Sequence, residues 1–254
     1  MPLPLPALVA MGLALSACTG APLQAPAGGG GGPAGYVAQA ATDQLILRVA
    51  GDRHLVRPGA SAAFGTVPFE VVAVEARAFN DAAKRVPFPA IAGATLGRYG
   101  WKYARLTPET ARGWTGDAGA PGEVFFLDSL GGEADNAGEW VITERLGSQE
   151  LRTAVSARTH VAAFEPAKVA WLNLGNLAGT WRVSAAWGGA RKAPTSYPGA
   201  FLVYSRPDGV RDFAVVGPSE PTTLQARGYV YGFFITQGDD RPDGDLKLTL
   251  ERLL

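Results

Sequence analysis

The sequence predicts an all-β protein, two β-sandwiches in tandem behind a disordered N-terminal tether, and three observations lead there. Short runs rich in Val, Phe and Tyr recur between Gly, Pro and Asp clusters, the pattern of half-buried strands bounded by turns. The one stretch with helical character is a turn near Pro108 to Arg112. The chain also resembles itself when it is shifted by 106 residues, the sign of a duplicated unit.

Taken in order, residues 1–17 are Ala, Leu, Pro and Gly with few other residues and no charge. The stretch is too short to span a bilayer, which takes about 20 apolar residues. It ends Leu15, Ser16, Ala17, Cys18, and this order resembles a bacterial lipoprotein lipobox. The resemblance implies a signal peptide over 1–17, lipidation of Cys18 and attachment to a membrane through it. No Lys or Arg precedes the apolar stretch, a departure from the usual positive start. Thr19 stands where an inner-membrane retention signal has Asp, so the expected location is the outer membrane, lipid-anchored, facing the periplasm or the cell surface. Residues 18–40 form a Gly/Pro/Ala-rich linker with an unbroken glycine run from Gly28 to Gly32. Such a composition buries too little apolar surface to offset its ordering entropy and serves as a tether.

Strands are expected at Leu45–Val49, Phe69–Phe79, Val124–Leu127, Trp140–Thr143, Leu151–Val155, Trp181–Trp187, Ala200–Tyr204, Tyr229–Ile235 and Leu246–Leu250. At the shift of 106, Gly93, Ala94 and Leu96 fall on Gly199, Ala200 and Leu202. Gly122 and Val124 fall on Gly228 and Val230, and Gly138, Trp140 and Ile142 on Gly244, Leu246 and Leu248. Phe69 to Ala76 matches Thr180 to Trp187 only after a gap of five, which places the length difference in the loop that follows. Two sandwich repeats are therefore expected, over 41–147 and 148–254, divided near Gly147.

Composition narrows the function. Lys plus Arg and Asp plus Glu both total 23, so no excess positive charge draws the chain to nucleic acid. One Cys and two His rule out internal disulfides, Cys/His zinc clusters and any site built from several imidazoles. No nucleophile elbow, Walker loop or His-Glu-x-x-His is present. Glu133 and Glu139 beside Asp128 and Asp135 could form a carboxylate pair, but carboxylates beside glycines in one loop usually face solvent or a metal. The expectation is that the chain is not an enzyme.

The first repeat carries one constellation with chemistry in it. Strand Val124–Leu127 ends in Asp128, and seven residues later come Asp135, Asn136, Ala137 and Gly138, leading into Trp140. This resembles the LecA-like family of bacterial galactose-binding lectins, small β-sandwiches with a calcium loop. The resemblance covers roughly 66–146 and, more weakly, 150–254. It implies a calcium ion held by Asp128, Asp135, Asn136 and a carbonyl near Gly132, with galactose or an envelope polysaccharide as the bound partner. Oxygen donors of these types suit calcium, which takes six to eight of them in irregular geometry. In the second repeat the matching positions are Phe234, Arg241 and Pro242, so the ligand set is lost there. The family's sugar-holding His and Gln are absent from Asn80–Ala90, which leaves Trp101 and Trp114 as candidate stacking surfaces for a sugar ring. Two functions follow. One is a lectin-like, calcium-dependent carbohydrate binder of the envelope; the other is a structural or protein-interaction lipoprotein that has lost its sugar site.

Overall fold

A computed structural model describes residues 42–49, 55–56, 59–64, 68–97, 100–116, 122–175, 178–188, 199–218, 221–235 and 244–253. The expected signal peptide, Cys18, the linker and the acidic stretch 236–243 lie outside the described residues. In chain order the strands are β1 (Thr42–Val49), β2 (Leu55–Val56), β3 (Ala62–Ala63), β4 (Phe69–Asp81), β5 (Val86–Pro87), β6 (Ile91–Gly97) and β7 (Gly100–Leu106). Then come β8 (Thr115–Gly116), β9 (Gly122–Ser129), β10 (Ala137–Leu146), β11 (Gln149–Ser156), β12 (Val161–Phe164) and β13 (Ala170–Asn173). The last six are β14 (Gly179–Gly188), β15 (Gly199–Ser205), β16 (Arg211–Val216), β17 (Thr222–Ala226), β18 (Tyr229–Ile235) and β19 (Gly244–Leu253). All nine expected strands are present, and the protein is all-β apart from isolated helical turns. The expected turn is α1 (Pro108–Ala111), where Thr107 Oγ1 accepts from the Thr110 amide at 3.1 Å and Thr110 Oγ1 from the Thr107 amide at 2.8 Å. Pro108 at the first helical position supplies a pre-set φ.

Alternation along the strands builds the layers. Trp140 and Ile142 of β10, and Leu246, Leu248 and Leu250 of β19, are buried on one face while residues between them point outward, the period of two that a pleated strand imposes. Among the described residues there are four sheets, ordered β11-β10-β4-β5, β12-β9-β6-β7, β13-β18-β15-β16 and β1-β19-β14-β17. The first two enclose one core around Trp140, Phe126 and Ile142. The last two enclose another around Trp181, Leu202 and Phe234. A third core joins the two middle sheets, with Ala90, Ala92 and Ala94 of the first half facing Phe201, Val203, Phe213 and Phe233 of the second. Small residues opposite aromatic ones let the middle sheets interlock. Each ring buried this way is worth about 1.5–3 kcal/mol.

The repeat boundary is therefore not a linker. Leu146 pairs with Gln149 across Gly147 and Ser148, and Gly147 takes φ 62°, a left-handed conformation that glycine adopts without strain. The expected division is thus the tip of a tight hairpin, and the described residues on its two sides belong to a single compact unit. The pairing of strands explains this. β11 belongs by sequence to the second repeat, yet it pairs antiparallel with β10 of the first, and β12 then runs parallel to β9. In mirror fashion β1 pairs antiparallel with β19 and β2 runs parallel to β18. Each repeat gives its first two strands to the other and keeps the third, because β3 pairs β9 and β13 pairs β18. The two repeats are interlocked by exchange.

The repeat register also differs from expectation in one place. Val124 and Val230 occupy equivalent positions, but their cross-strand partners are Gly93 and Tyr204, not Gly93 and Gly199. The pleat explains why: Ala92 and Ala94 face the middle core, and so do Phe201 and Val203, whereas Ala200 and Leu202 face the inner core of their own half. A match of Ala94 to Ala200 would turn the strand over. The five-residue offset of the β4/β14 match therefore persists through β6/β15, and the length difference lies between β6 and β9, not in the loop after β4.

Candidate functional site

The loop between β9 and β10 brings Asp128 and Asn136 together and fills the space between them with protein. Asp128 is fully buried. Its Oδ1 accepts from the Ser129 amide at 2.7 Å, and its Oδ2 from Asn80 Nδ2 at 3.0 Å. Arg211, reaching across from β16 of the other half, forms an ion pair with Oδ1 and donates to Ser129 Oγ at 3.1 Å. Burial pushes the Asp128 carboxyl up, and the Arg211 guanidinium pulls it the other way. Asn136 is also buried, its Nδ2 donating to the Ala157 carbonyl at 3.0 Å. Arg158 Nε donates to the Asn136 carbonyl at 3.0 Å and its terminal nitrogen to the Ala134 carbonyl at 3.4 Å.

This arrangement does not fit calcium. The Gly132 carbonyl accepts from the Asp135 amide at 3.3 Å, the Asp135 carbonyl accepts from Ala82 at 3.0 Å, and the Asp135 side chain is exposed. Among the described residues no three acidic, His or Cys side chains converge as a metal site. A dication placed beside Asp128 would meet the guanidinium of Arg211 at close range, a repulsion that burial strengthens. The spacing of Asp128, Asp135 and Asn136 is present, but the loop's charge is met by arginine.

Trp114, the second expected stacking surface, lies edge-on to Phe64 and Phe69 with ring centroids at 5.7 and 5.3 Å. It is a packing residue beside the first core. Trp101 likewise packs, partly buried, against the middle core, but its outer side is open. It lines an open groove of about 1080 Å³ that runs along three sheet edges, β7 from the first half and β16 and β17 from the second. Trp101, Tyr103 and Arg105 share one face of β7, as alternation requires, and all three line the groove. Tyr103 is braced edge-on by Phe201 at 5.5 Å.

At the groove's base Arg105 grips Asp212 with two parallel hydrogen bonds, Nε to Oδ1 at 2.9 Å and a terminal nitrogen to Oδ2 at 2.8 Å. Asp212 Oδ1 also accepts from the Phe213 amide at 2.7 Å. A bidentate pair of this kind fixes both planes and is among the stronger polar contacts. Tyr204 lines the same wall, its phenol pushed up to about 12 by burial and by the neighbouring Asp212 charge. Thr222, Thr223 and Gln225 of β17 add hydroxyl and amide groups. Sequence reasoning found Trp101 and missed Arg105, Asp212 and Tyr204. The alternation Trp101, Tyr103, Arg105 was available as a signal, whereas no spacing rule links Arg105 to Asp212.

With this geometry in view, the comparisons with known proteins are brief: no protein family, no curated protein and no solved structure matches the chain. Nothing in these comparisons identifies a lectin family.

Proposed function

We propose that this chain is a non-catalytic, lipid-anchored carbohydrate-binding protein of the bacterial envelope, and that the sugar is held in the groove between the halves and not by a calcium loop. The observation that carries the reading is the groove itself, where the Trp101 and Tyr103 rings stand beside the fixed Arg105–Asp212 pair. A sugar presents flat C–H faces and a ring of hydroxyls. Aromatic faces suit the first, and oriented charged or amide groups suit the second. The pair is held rigid before any ligand arrives, so little ordering cost falls on binding.

The alternative, an interaction lipoprotein without a sugar site, draws support from the Asp128 loop, where the Asp128 carboxylate is already paired with Arg211 and the Gly132 carbonyl accepts from the Asp135 amide. A glycan array probed with the full chain, followed by titration of any envelope polysaccharide that binds, separates the two. The carbohydrate reading expects Trp101→Ala to weaken binding about tenfold or more, in line with roughly 1–3 kcal/mol for a stacked ring, with no effect from chelator. Absence of any glycan signal, or binding indifferent to Trp101, would leave the interaction reading.

A further inference from the structure

We infer that the end of the molecule bearing Trp171, Tyr229 and Leu130 is a membrane-contact surface, lying against the bilayer that holds the chain. The inference rests on the lipid-anchor reading of Cys18. Among the described residues these three are the most exposed large apolar side chains, at 55%, 49% and 56%. Two of them are joined: the Trp171 and Tyr229 ring centroids are 5.3 Å apart.

The surface is built outward from the core. Phe233, in the middle core, stacks with Phe164 at 5.0 Å, Phe164 meets Tyr231 at 5.4 Å, and Tyr231 stacks with Tyr229 at 6.2 Å. Leu130 is tied beside the ladder through its backbone, its amide donating to the Phe164 carbonyl at 2.8 Å. An aromatic ladder anchored at one end holds its outer rings in place, so they do not fold back to shed exposure. Leaving them in water forgoes burial energy on the scale of about 1.5–3 kcal/mol per side chain.

The topology says what covers them. The chain enters the folded body at Thr42, which pairs with Glu251 on β19, two residues from Leu253. Leu253 lies opposite Thr180, and the adjacent Gly179 opposite Ala226. From Ala226 the chain turns through Arg227 and Gly228 directly into Tyr229, while Asn173, two residues from Trp171, pairs with Tyr229. The point where the tether meets the body and the exposed aromatic pair therefore share one end of the second half. Cys18 precedes Thr42 by 24 residues, and the chain that carries it enters the body at this end. An anchor at Cys18 thus holds this end nearest the lipid. Trp and Tyr are the side chains that suit the membrane interface, with an apolar body and a polar tip. Arg227 at this end is an exposed cation that suits anionic headgroups, while the neighbouring Lys168 is paired with Glu165 at 2.9 Å.

The test uses the full-length lipidated protein in vesicles of phosphatidylethanolamine and phosphatidylglycerol, with and without bromine on the acyl chains. The wild type should lose tryptophan emission in brominated vesicles, and Trp171→Phe, which keeps the packing, should lose much less. Equal quenching in both, or none in the wild type, would overturn the inference. So would Trp171 emission that responds to a soluble polysaccharide and not to lipid, since that outcome makes the pair a sugar platform. The intact mass reports lipidation at Cys18 separately. If the mass is unmodified, the anchor reading fails by itself, and quenching with added vesicles still decides the surface.

Discussion

The two halves have the same sheets and nearly the same strands, yet they close their cores with opposite chemistry at matching positions. Where the second half places Phe234, the first places Asp128; where the second places Leu250, the first places Glu144. All four are buried. At these two positions the second half is apolar, its own buried acid Asp212 lying at the groove and paired with Arg105, while the first half holds two carboxylates in its interior and handles them differently. Asp128 draws Arg211 from the other half. Glu144 keeps one carboxyl oxygen buried without a hydrogen-bond partner among the described residues. One acid has become part of the contact between the repeats, and the other is a local weakness.

This contrast can be broken by substitution. The largest effect is expected in the second half: Phe234→Ala should cost about 3–5 kcal/mol, the range for a buried aromatic ring truncated in a packed core, read by urea denaturation. Asp128→Ala should follow at about 2–3 kcal/mol, because it strands the Arg211 guanidinium and the Asn80 amide. Part of that cost is relieved because Arg211 is about a third exposed, at 36% of its side chain. Adding Arg211→Ala to Asp128→Ala should cost less than the two single changes together. Strict additivity would show that the ion pair does not join the halves.

Glu144 sharpens the comparison from the other side. Leu fits the matching place in the second half, so Glu144→Leu should raise stability by about 1 kcal/mol near neutral pH, the scale of an unsatisfied buried polar group removed. Burial holds the Glu144 carboxyl above its ordinary value, with a hydrogen bond from Thr153 pulling it back. The folded protein therefore keeps a proton that the unfolded chain releases. Where the folded state binds more protons, stability falls as pH rises, so this group weakens the fold from about pH 4.5 upward. The wild type should lose some stability over that range, and Glu144→Leu should lose less. Identical slopes would remove the argument. The smallest expected effect concerns calcium: a ligand at a hundredfold excess over its Kd stabilises by roughly 2.7 kcal/mol, and the melting temperature should not move between calcium and chelator. A rise in calcium that Asp128→Asn abolishes would restore the loop as a metal site.

Much of the architecture was legible because alternation is a local property. The expected strands Trp140–Thr143 and Trp181–Trp187 lie within β10 and β14, with Trp140 and Trp181 fully buried, and the expected turn near Pro108 is α1. The exchange of strands was not legible. β1 shows the pattern of a half-buried strand, and that pattern is the same whether its partner is in its own repeat or the other. The register of β6 failed for a related reason, since Ala92, Gly93 and Ala94 are small and match many neighbours until the pleat assigns them a face. The site divided in the same way. Asp128 stood out by its spacing to Asp135, but its neutralising cation, Arg211, is supplied from β16 by the fold, and no motif announces it.

The central claim is that exchanged first strands make the two repeats one cooperative body. The most direct test follows unfolding in urea with one probe in each half, while Ile142→Ala weakens only the first core. The account predicts that both probes shift together to lower urea and stay coincident. A first half that melts early while the second unfolds at its wild-type midpoint would contradict it.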